Sequence, residues 1–122
     1  LFGRSFFSTP QGQAAAAATT AAIRSNDKDT YLEHLTAVLK FGRCEPGQDR
    51  SDTFTKRLSS IRKPTLLMVG EEDVLTVPAF SRLLAEGIQG AKLVVQPRAG
   101  HLNLIEQPED SAQLILDFLS TL

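Results

Sequence analysis

The chain has 122 residues, enough for one domain with a modest core. Its hydrophobic content of 42%, its charged content of 22% and its net charge of −1 are ordinary for a globular protein, and they give no reason to expect nucleic acid or an anionic membrane as a partner. A single cysteine, Cys44, excludes an internal disulfide and is typical of a reducing compartment, so we expect a cytoplasmic location.

The first third of the chain predicts two helices. Thr9 followed by Pro10 is a typical helix start, and the alanine-rich run that continues to Ile23 has a high helix propensity. A second helix is predicted from about Lys28 to Phe41, because its apolar positions recur at helical spacing and form one stripe suited to burial. The members of this stripe are Tyr31, Leu32, Leu35, Val38 and Leu39.

The middle of the chain predicts a loop, a short helix and a strand. Residues 42–52 are rich in turn formers, and residues 53–60 have apolar positions at helical spacing. Pro64 ends that helix, because the residue before a proline avoids the helical region. The apolar run 66–69 has no alternation and is followed by Gly70, which predicts a strand of a parallel sheet that is covered on both faces.

The last third predicts helix, strand and helix. A helix opens at Pro78 and continues to about Ile88, a strand covers residues 93–95, and a final helix opens at Pro108. The order from residue 64 onward is therefore strand, helix, strand, helix, which indicates an α/β fold. The stripes expected to be buried are Phe80, Leu83, Leu84 and Ile88 in the first helix, and Ala112, Ile115, Leu116 and Leu119 in the last.

A carboxylate and an imidazole follow the two predicted strands. Asp73 lies just past Gly70, and His101 ends the tight turn that follows the second strand. Ligands bind beyond the carboxyl ends of strands in open α/β sheets, and neighbouring parallel strands lie ~5 Å apart, so we expect the two side chains to meet. A carboxylate in this position fixes the tautomer of the ring and stabilises the imidazolium, and the other ring nitrogen serves as general base.

Each of these residues also has a purely structural interpretation. Asp73 alone is more typical of a turn cap or of a partner for a nearby basic residue, and His101 alone of an exposed loop. Glu71 and Glu72 are interpreted as solvated turn charges, and His34 as a partly exposed helix residue. Asp73 and His101 occur together, each in the turn after a predicted strand, and this combination favours a functional role.

The stretch 61–119 resembles the α/β-hydrolase superfamily. The resemblance rests on a set of short motifs, each loose alone and specific together: PTLLMVGEED at 64–73, TVP at 76–78, AGH at 99–101 and EQPE at 106–109. It implies an α/β-hydrolase fold in which Asp73 is the acid and His101 the base of a Ser-Asp-His triad.

The nucleophile of such a triad has no counterpart in the chain. In the family the serine precedes the acid and the base, on an elbow of form G-x-S-x-G. No such motif occurs, and Ser5 fails the pattern because two phenylalanines follow it. The chain also begins with Leu1 rather than Met. We therefore expect the C-terminal fragment of a longer hydrolase, whose serine and oxyanion-hole loop lie in an upstream segment or on a second chain.

The resemblance divides the chain into two parts. Residues 1–60 are expected to be an incomplete helical lid, and residues 61–122 the C-terminal part of the hydrolase core. The motifs look like those of esterases and of 3-oxoadipate enol-lactonases, which implies a small-molecule ester or lactone substrate. Dehalogenases, haloperoxidases and carbon–carbon bond hydrolases share the same motifs. We expect no cofactor and no metal, because two His and one Cys lack ligand spacing.

Two other interpretations remain open. The chain could be a non-catalytic binding or assembly module, because two strands alone cannot bury both of their faces and edges. In that case a homo-oligomer or a captured partner is expected. It could also be a ligand receptor with the same fold. For the isolated chain we expect no hydrolysis, since the covalent route needs the nucleophile.

Overall fold

A computed structural model of the chain describes residues 1–41 and 57–122, with the backbone alone for residues 38–41. The elements are α1 (Arg4–Phe7), α2 (Pro10–Ser25), α3 (Lys28–Phe41), a 3₁₀ turn (Leu58–Ser60), β1 (Leu66–Gly70), α4 (Pro78–Gly87), β2 (Lys92–Gln96), α5 (Asn103–Glu106) and α6 (Pro108–Leu119). The predicted loop 42–52, most of the predicted helix 53–60 and Cys44 lie outside the described residues.

The helices begin at the capping signals in the sequence. Thr9 Oγ1 accepts a hydrogen bond of 3.0 Å from the Gly12 N–H at the start of α2. Asp27 Oδ2 accepts one of 2.8 Å from the Thr30 N–H at the start of α3. Prolines occupy the first turns of α2, α4 and α6, where the missing N–H would have had no helical partner.

The two strands pair in parallel, as the alternation of strand and helix predicts. Leu66 lies opposite Lys92 and Gly70 opposite Gln96, so both strands end at the same level. Helix α4 packs against β1 and β2 and against the 3₁₀ turn. Among the described residues, the buried apolar residues of this core are Leu58, Val69, Ile88 and Ala99. The turns that follow β1 and β2 therefore leave the sheet side by side.

Three helical stripes that were predicted to be buried are largely exposed. Their apolar side chains are between 38% and 60% exposed, whereas Ile88, at the end of the α4 stripe, is 5% exposed. These exposed residues are Tyr31, Leu32 and Leu35 in α3, Phe80 and Leu83 in α4, and Ile115, Leu116 and Leu119 in α6. Ala112 is exposed as well, and Leu84 is half-buried. The side chains of Val38 and Leu39 lie outside the described part.

The narrow sheet explains the exposed stripe of α4, the helix that packs against both strands. Two strands at ~5 Å spacing are no wider than one helix of ~10 Å, so they cannot cover the apolar faces of helices on both sides. The first three residues of β1 are accordingly half-buried rather than fully covered. Within the described ranges, no helix has the length and the apolar composition that crossing a lipid bilayer requires.

Candidate active site

The acid of the site sits in a tight turn after β1. The Asp73 side chain is 4% exposed. Its Oδ1 accepts hydrogen bonds from the backbone N–H groups of Leu75 (2.8 Å) and Thr76 (2.9 Å), and its Oδ2 accepts one from the Thr76 hydroxyl (2.7 Å). This is the pattern by which an aspartate closes a turn over its own following residues. The local sequence therefore fixes the direction of the carboxylate.

Hydrogen bonds beyond the strands hold the second turn beside the first. The Glu71 N–H donates to the Gln96 carbonyl and the Glu72 N–H to the Ala99 carbonyl, each at 2.8 Å. The pairing of β1 with β2 thus continues into the loops. His101 follows at the end of this second turn, and its own N–H donates to the Leu1 carbonyl at 2.8 Å. This extended pairing places Asp73, in the turn after β1, and His101, in the turn after β2, at the same edge of the sheet.

The structure brings Asp73 and His101 into direct contact. Asp73 Oδ2 lies 3.0 Å from His101 Nδ1, and Thr76 Oγ1 lies 3.2 Å from the same nitrogen. An ionised carboxylate can only accept, so this hydrogen bond requires the proton on Nδ1. In the neutral ring with that tautomer, Nε2 carries the free lone pair. Among the described residues nothing hydrogen-bonds to Nε2, and the imidazole side chain is 35% exposed.

The environment of Asp73 keeps its carboxyl ionised. Burial by itself would raise its pKa, but the hydrogen bonds from the Thr76 hydroxyl, the Thr76 N–H, His101 and the Leu75 N–H outweigh burial and lower the pKa from 3.8 to about 2. At neutral pH the group is therefore an anion beside Nδ1. This anion can stabilise a positive charge that forms on the ring when Nε2 takes a proton.

A buried polar cluster lies beneath the second turn. Gln96, which is 2% exposed, donates from Nε2 to Ser111 Oγ at 2.9 Å and accepts from Asn103 Nδ2 at 2.5 Å. Gln107 Nε2 donates to the Pro97 carbonyl at 2.8 Å. These bonds connect the end of β2 with α5 and the start of α6. They hold the end of β2 against the two helices that follow His101.

Glu72 contacts the start of the chain, which corrects its interpretation as a solvated turn charge. Its Oε2 accepts a hydrogen bond of 2.8 Å from the Ser5 N–H, and its Oε1 contacts the Ser5 hydroxyl. The hydroxyl first, and then the N–H, lower the pKa of the Glu72 carboxyl. The sequence could not identify this pairing, because the two residues are 67 positions apart. Glu71 and His34 are exposed, in line with their interpretation.

An open groove of about 450 Å³ lies beside the acid turn. It is lined by Phe2, Arg4, Phe7, Glu72 and Val74, so that two of its residues directly flank Asp73 in the sequence. Phe7 is 52% and Val74 79% exposed. The groove therefore offers apolar surface beside the turn that carries Asp73.

Sequence reasoning found the two central residues of this arrangement and missed their supports. It named Thr76 only as part of the TVP motif, although the Asp-x-x-Thr spacing is a signal for a turn in which the threonine N–H and hydroxyl both reach the carboxylate. It also gave Glu106 no role, and this side chain is buried. In the described part of the chain, no group of three or more His, Cys, Asp or Glu is arranged to hold a metal ion.

The chain is similar in sequence to a known family and to a curated lipase. The sequence profile of the family described as TAP-like protein matches residues 42–122. Monoacylglycerol lipase abhd6-A from Xenopus laevis is 31% identical over 67 residues. That similarity covers 55% of this chain and 20% of the lipase, so the chain spans about a fifth of the length of this curated relative.

Solved structures extend the similarity to nearly the whole chain. MGS-M2, an α/β-hydrolase from a Medee basin deep-sea metagenome library, has a TM-score of 0.73 and 27% identity, and the match covers 98% of this chain and 41% of MGS-M2. Est816, described as an N-acyl homoserine lactone degrading enzyme, has a TM-score of 0.69 and 29% identity, with 95% of this chain and 42% of Est816 covered. The fold of this chain is thus that of a part of these enzymes.

Proposed function

This chain belongs to the TAP-like protein family of α/β-hydrolases, and from that premise we propose that it supplies the acid and the base of a serine hydrolase that acts on carboxylic esters or lactones. The observation that carries the proposal is the 3.0 Å hydrogen bond between Asp73 Oδ2 and His101 Nδ1, made by a carboxylate that its own turn holds ionised. The serine is proposed to lie in an upstream segment of the same polypeptide or on a second chain.

In the proposed mechanism His101 moves one proton in each of two steps. Nε2 removes the proton from the serine hydroxyl while the serine oxygen bonds to the substrate carbonyl carbon. The same proton then passes to the leaving oxygen as its bond to carbon breaks, which leaves an acyl-serine. In the second step Nε2 removes a proton from water while the water oxygen bonds to the acyl carbon. That proton then passes to the serine oxygen as its bond to the acyl group breaks, which releases the acid. Asp73 keeps the ring oriented and stabilises the imidazolium in both steps.

Two features support an ester or lactone as substrate. The groove beside Asp73 offers the aromatic rings of Phe2 and Phe7 to an apolar part of the substrate. The names of the similar proteins also support this class, since one is a monoacylglycerol lipase and another degrades N-acyl homoserine lactones. In this proposal the N-terminal helices α1 to α3 form part of a lid over the site. A cytoplasmic location stays a prediction that rests on the lone cysteine.

The test uses the longer polypeptide that this proposal predicts, in which a segment carrying the serine precedes this chain. Hydrolysis of p-nitrophenyl acetate and p-nitrophenyl butyrate is measured for the native protein, His101→Ala and Asp73→Asn. We expect kcat to fall by a factor on the order of 10³ or more in both variants. His34→Ala is the matched control, because His34 is an exposed histidine on α3, and it should keep the native rate. A His101→Ala protein with native activity would refute the proposal.

A second candidate is a non-catalytic assembly or binding module, and the exposed apolar stripes favour it. Leu116 and Leu119 on α6 are 60% and 53% exposed, and leaving this much apolar surface in water is unfavourable for a monomer of this size. Light scattering of the isolated chain separates the two ideas, since a monodisperse monomer removes the reason for self-association. A receptor with this fold would bind an ester or lactone at one molecule per chain without turnover by the parent protein.

A further inference from the structure

Glu106, at the end of α5, is a buried carboxylate that the proposed mechanism does not use. The residue is 8% exposed. Its Oε2 accepts two backbone hydrogen bonds of 3.0 Å each, from the N–H of Gly3 and from the N–H of Gly100. Its Oε1 is buried and has no hydrogen-bond partner among the described residues. One oxygen thus joins two segments that are far apart in the sequence.

Both segments are connected to the backbone of His101. Gly100 immediately precedes His101, and the N–H of His101 donates to the Leu1 carbonyl at 2.8 Å. The two peptide N–H groups on either side of the Gly100 α-carbon are therefore both occupied, one by the Glu106 carboxylate and one by the start of the chain. These bonds fix the backbone from which the His101 side chain projects.

The two backbones touch without side chains between them. A Cβ built on Gly100 would lie 2.1 Å from the Gly3 nitrogen, and one built on Gly3 would lie 2.7 Å from the Gly100 nitrogen. Contacts this close leave no space for the peptides to slide past each other. At this contact the two N–H groups share one acceptor, the Glu106 Oε2 oxygen.

We propose that Glu106 is a positioning residue for His101, acting by accepting the N–H groups of Gly100 and Gly3 at one oxygen. This inference rests on the proposed function, because it assigns a role only if His101 is the base. Without the carboxylate, two buried donors lose their acceptor and the turn relaxes toward other partners. A displacement of the base by ~1 Å is enough to lower a rate by up to ~10²-fold.

The substitutions separate the position of the acceptor from its charge. Glu106→Gln removes the charge but keeps an oxygen where both N–H groups can reach it. Glu106→Asp keeps the charge but withdraws the oxygens by one methylene. In the intact parent protein we expect Glu106→Gln to keep kcat for p-nitrophenyl butyrate within about threefold of native. Glu106→Asp and Glu106→Ala should lower kcat about 10- to 100-fold, with KM changed less than about threefold.

A variant that lowers only stability tests whether a loss of stability is by itself enough to lower kcat. Leu58→Ala opens a cavity in the core beside Gly87, where Leu58 is 2% exposed, and it should lower the melting temperature while kcat stays native. All variants are assayed at a temperature at which circular dichroism finds them folded. If Glu106→Ala does not fold, the Asp and Gln variants alone decide the question.

The outcomes distinguish this inference from the proposed function. Loss of activity in His101→Ala, together with native kcat in Glu106→Asp, overturns the positioning role alone. Lower kcat in Glu106→Gln than in Glu106→Asp also overturns it, because the charge would then be what matters. Native activity in His101→Ala overturns the proposed function and this inference with it.

Discussion

Thr76 Oγ1 lies 2.7 Å from Asp73 Oδ2 and 3.2 Å from His101 Nδ1, so one hydroxyl touches both members of the acid–imidazole pair. The hydroxyl donates to the carboxylate, and the N–H of the same residue donates to the other carboxylate oxygen. Because Thr76 is only three positions after Asp73, the acid is oriented by its own turn as well as by His101.

Replacing Thr76 with valine should weaken the site without unfolding it. The substitution keeps the shape and the backbone N–H but removes a hydrogen bond to a charged group, which is worth about 1.5–3 kcal/mol. We expect kcat of the intact protein to fall roughly tenfold. Thr76→Ser is the matched control, since it keeps the hydroxyl and should stay close to native. Equal rates for the Val and Ser variants would show that the hydroxyl has no part in orienting the acid.

The folding stability should contain a term from Asp73 that depends on pH. Its pKa is lowered from 3.8 to about 2 in the folded protein, so the unfolded chain takes up the proton first as the pH falls. The stabilisation, about 2 kcal/mol by linkage, is fully present above about pH 5 and is lost as the pH falls through about 2. Urea unfolding of native protein and of Asp73→Asn between pH 2 and pH 6 measures this term.

The unfolding free energies of the native protein and of Asp73→Asn should approach each other as the pH falls. Asp73→Asn cannot titrate at this position, so the difference in unfolding free energy between the two proteins should shrink by about 2 kcal/mol from pH 6 to pH 2. A difference that does not change with pH would mean that Asp73 has the same proton affinity in the folded and unfolded chains.

Gly70→Ala should be strongly destabilising, because the end of β1 has no room for a side chain. A Cβ at Gly70 would lie 2.2 Å from the Gly100 carbonyl oxygen and 2.3 Å from that of Ala99, and both are backbone atoms. The His101 turn would have to move away from the sheet, at a cost of about 3 kcal/mol or more. Thermal unfolding of the isolated chain should detect this loss.

Gly90 provides the control for that substitution. It has a φ of 78°, but nothing lies within 4 Å of the position that a Cβ would occupy there. Asparagine tolerates this conformation, so Gly90→Asn should cost less than about 1 kcal/mol. If Gly70→Ala proves as mild as Gly90→Asn, then β1 and the His101 turn are not in the close contact described above.

Ser111→Ala should affect stability and leave the chemistry unchanged. It removes the 2.9 Å partner of the buried Gln96 Nε2 and leaves that group only a 3.5 Å contact to Gln107. An unsatisfied buried donor costs about 1–3 kcal/mol. We expect a lower melting temperature with native KM and kcat within about threefold. Ser120→Ala, at the exposed end of α6, should change neither quantity, and a loss in Ser120→Ala equal to that in Ser111→Ala would contradict the role of the cluster.

Much of the fold was accessible from local patterns. Proline and capping residues predict the helix starts, and the apolar runs around Leu67 and Val94 predict two strands joined by a helix. Those features predict that Asp73 and His101 leave the sheet at one edge, because parallel strands with a helical crossover end at the same side. The structure places the two side chains 3.0 Å apart at that edge. Their roles in catalysis stay predictions.

The long-range hydrogen bonds around the site and the actual burial of the helices depend on the tertiary structure. Propensity and periodicity act over a few residues, so the sequence determined the element order, the caps and the two residues after the strands. The bond from Glu106 to Gly3 spans 103 positions, and that from Glu72 to Ser5 spans 67. Such contacts depend on how whole elements pack. The same holds for the apolar stripes of α3 and α6, whose spacing indicates an apolar face but not whether another element lies against it.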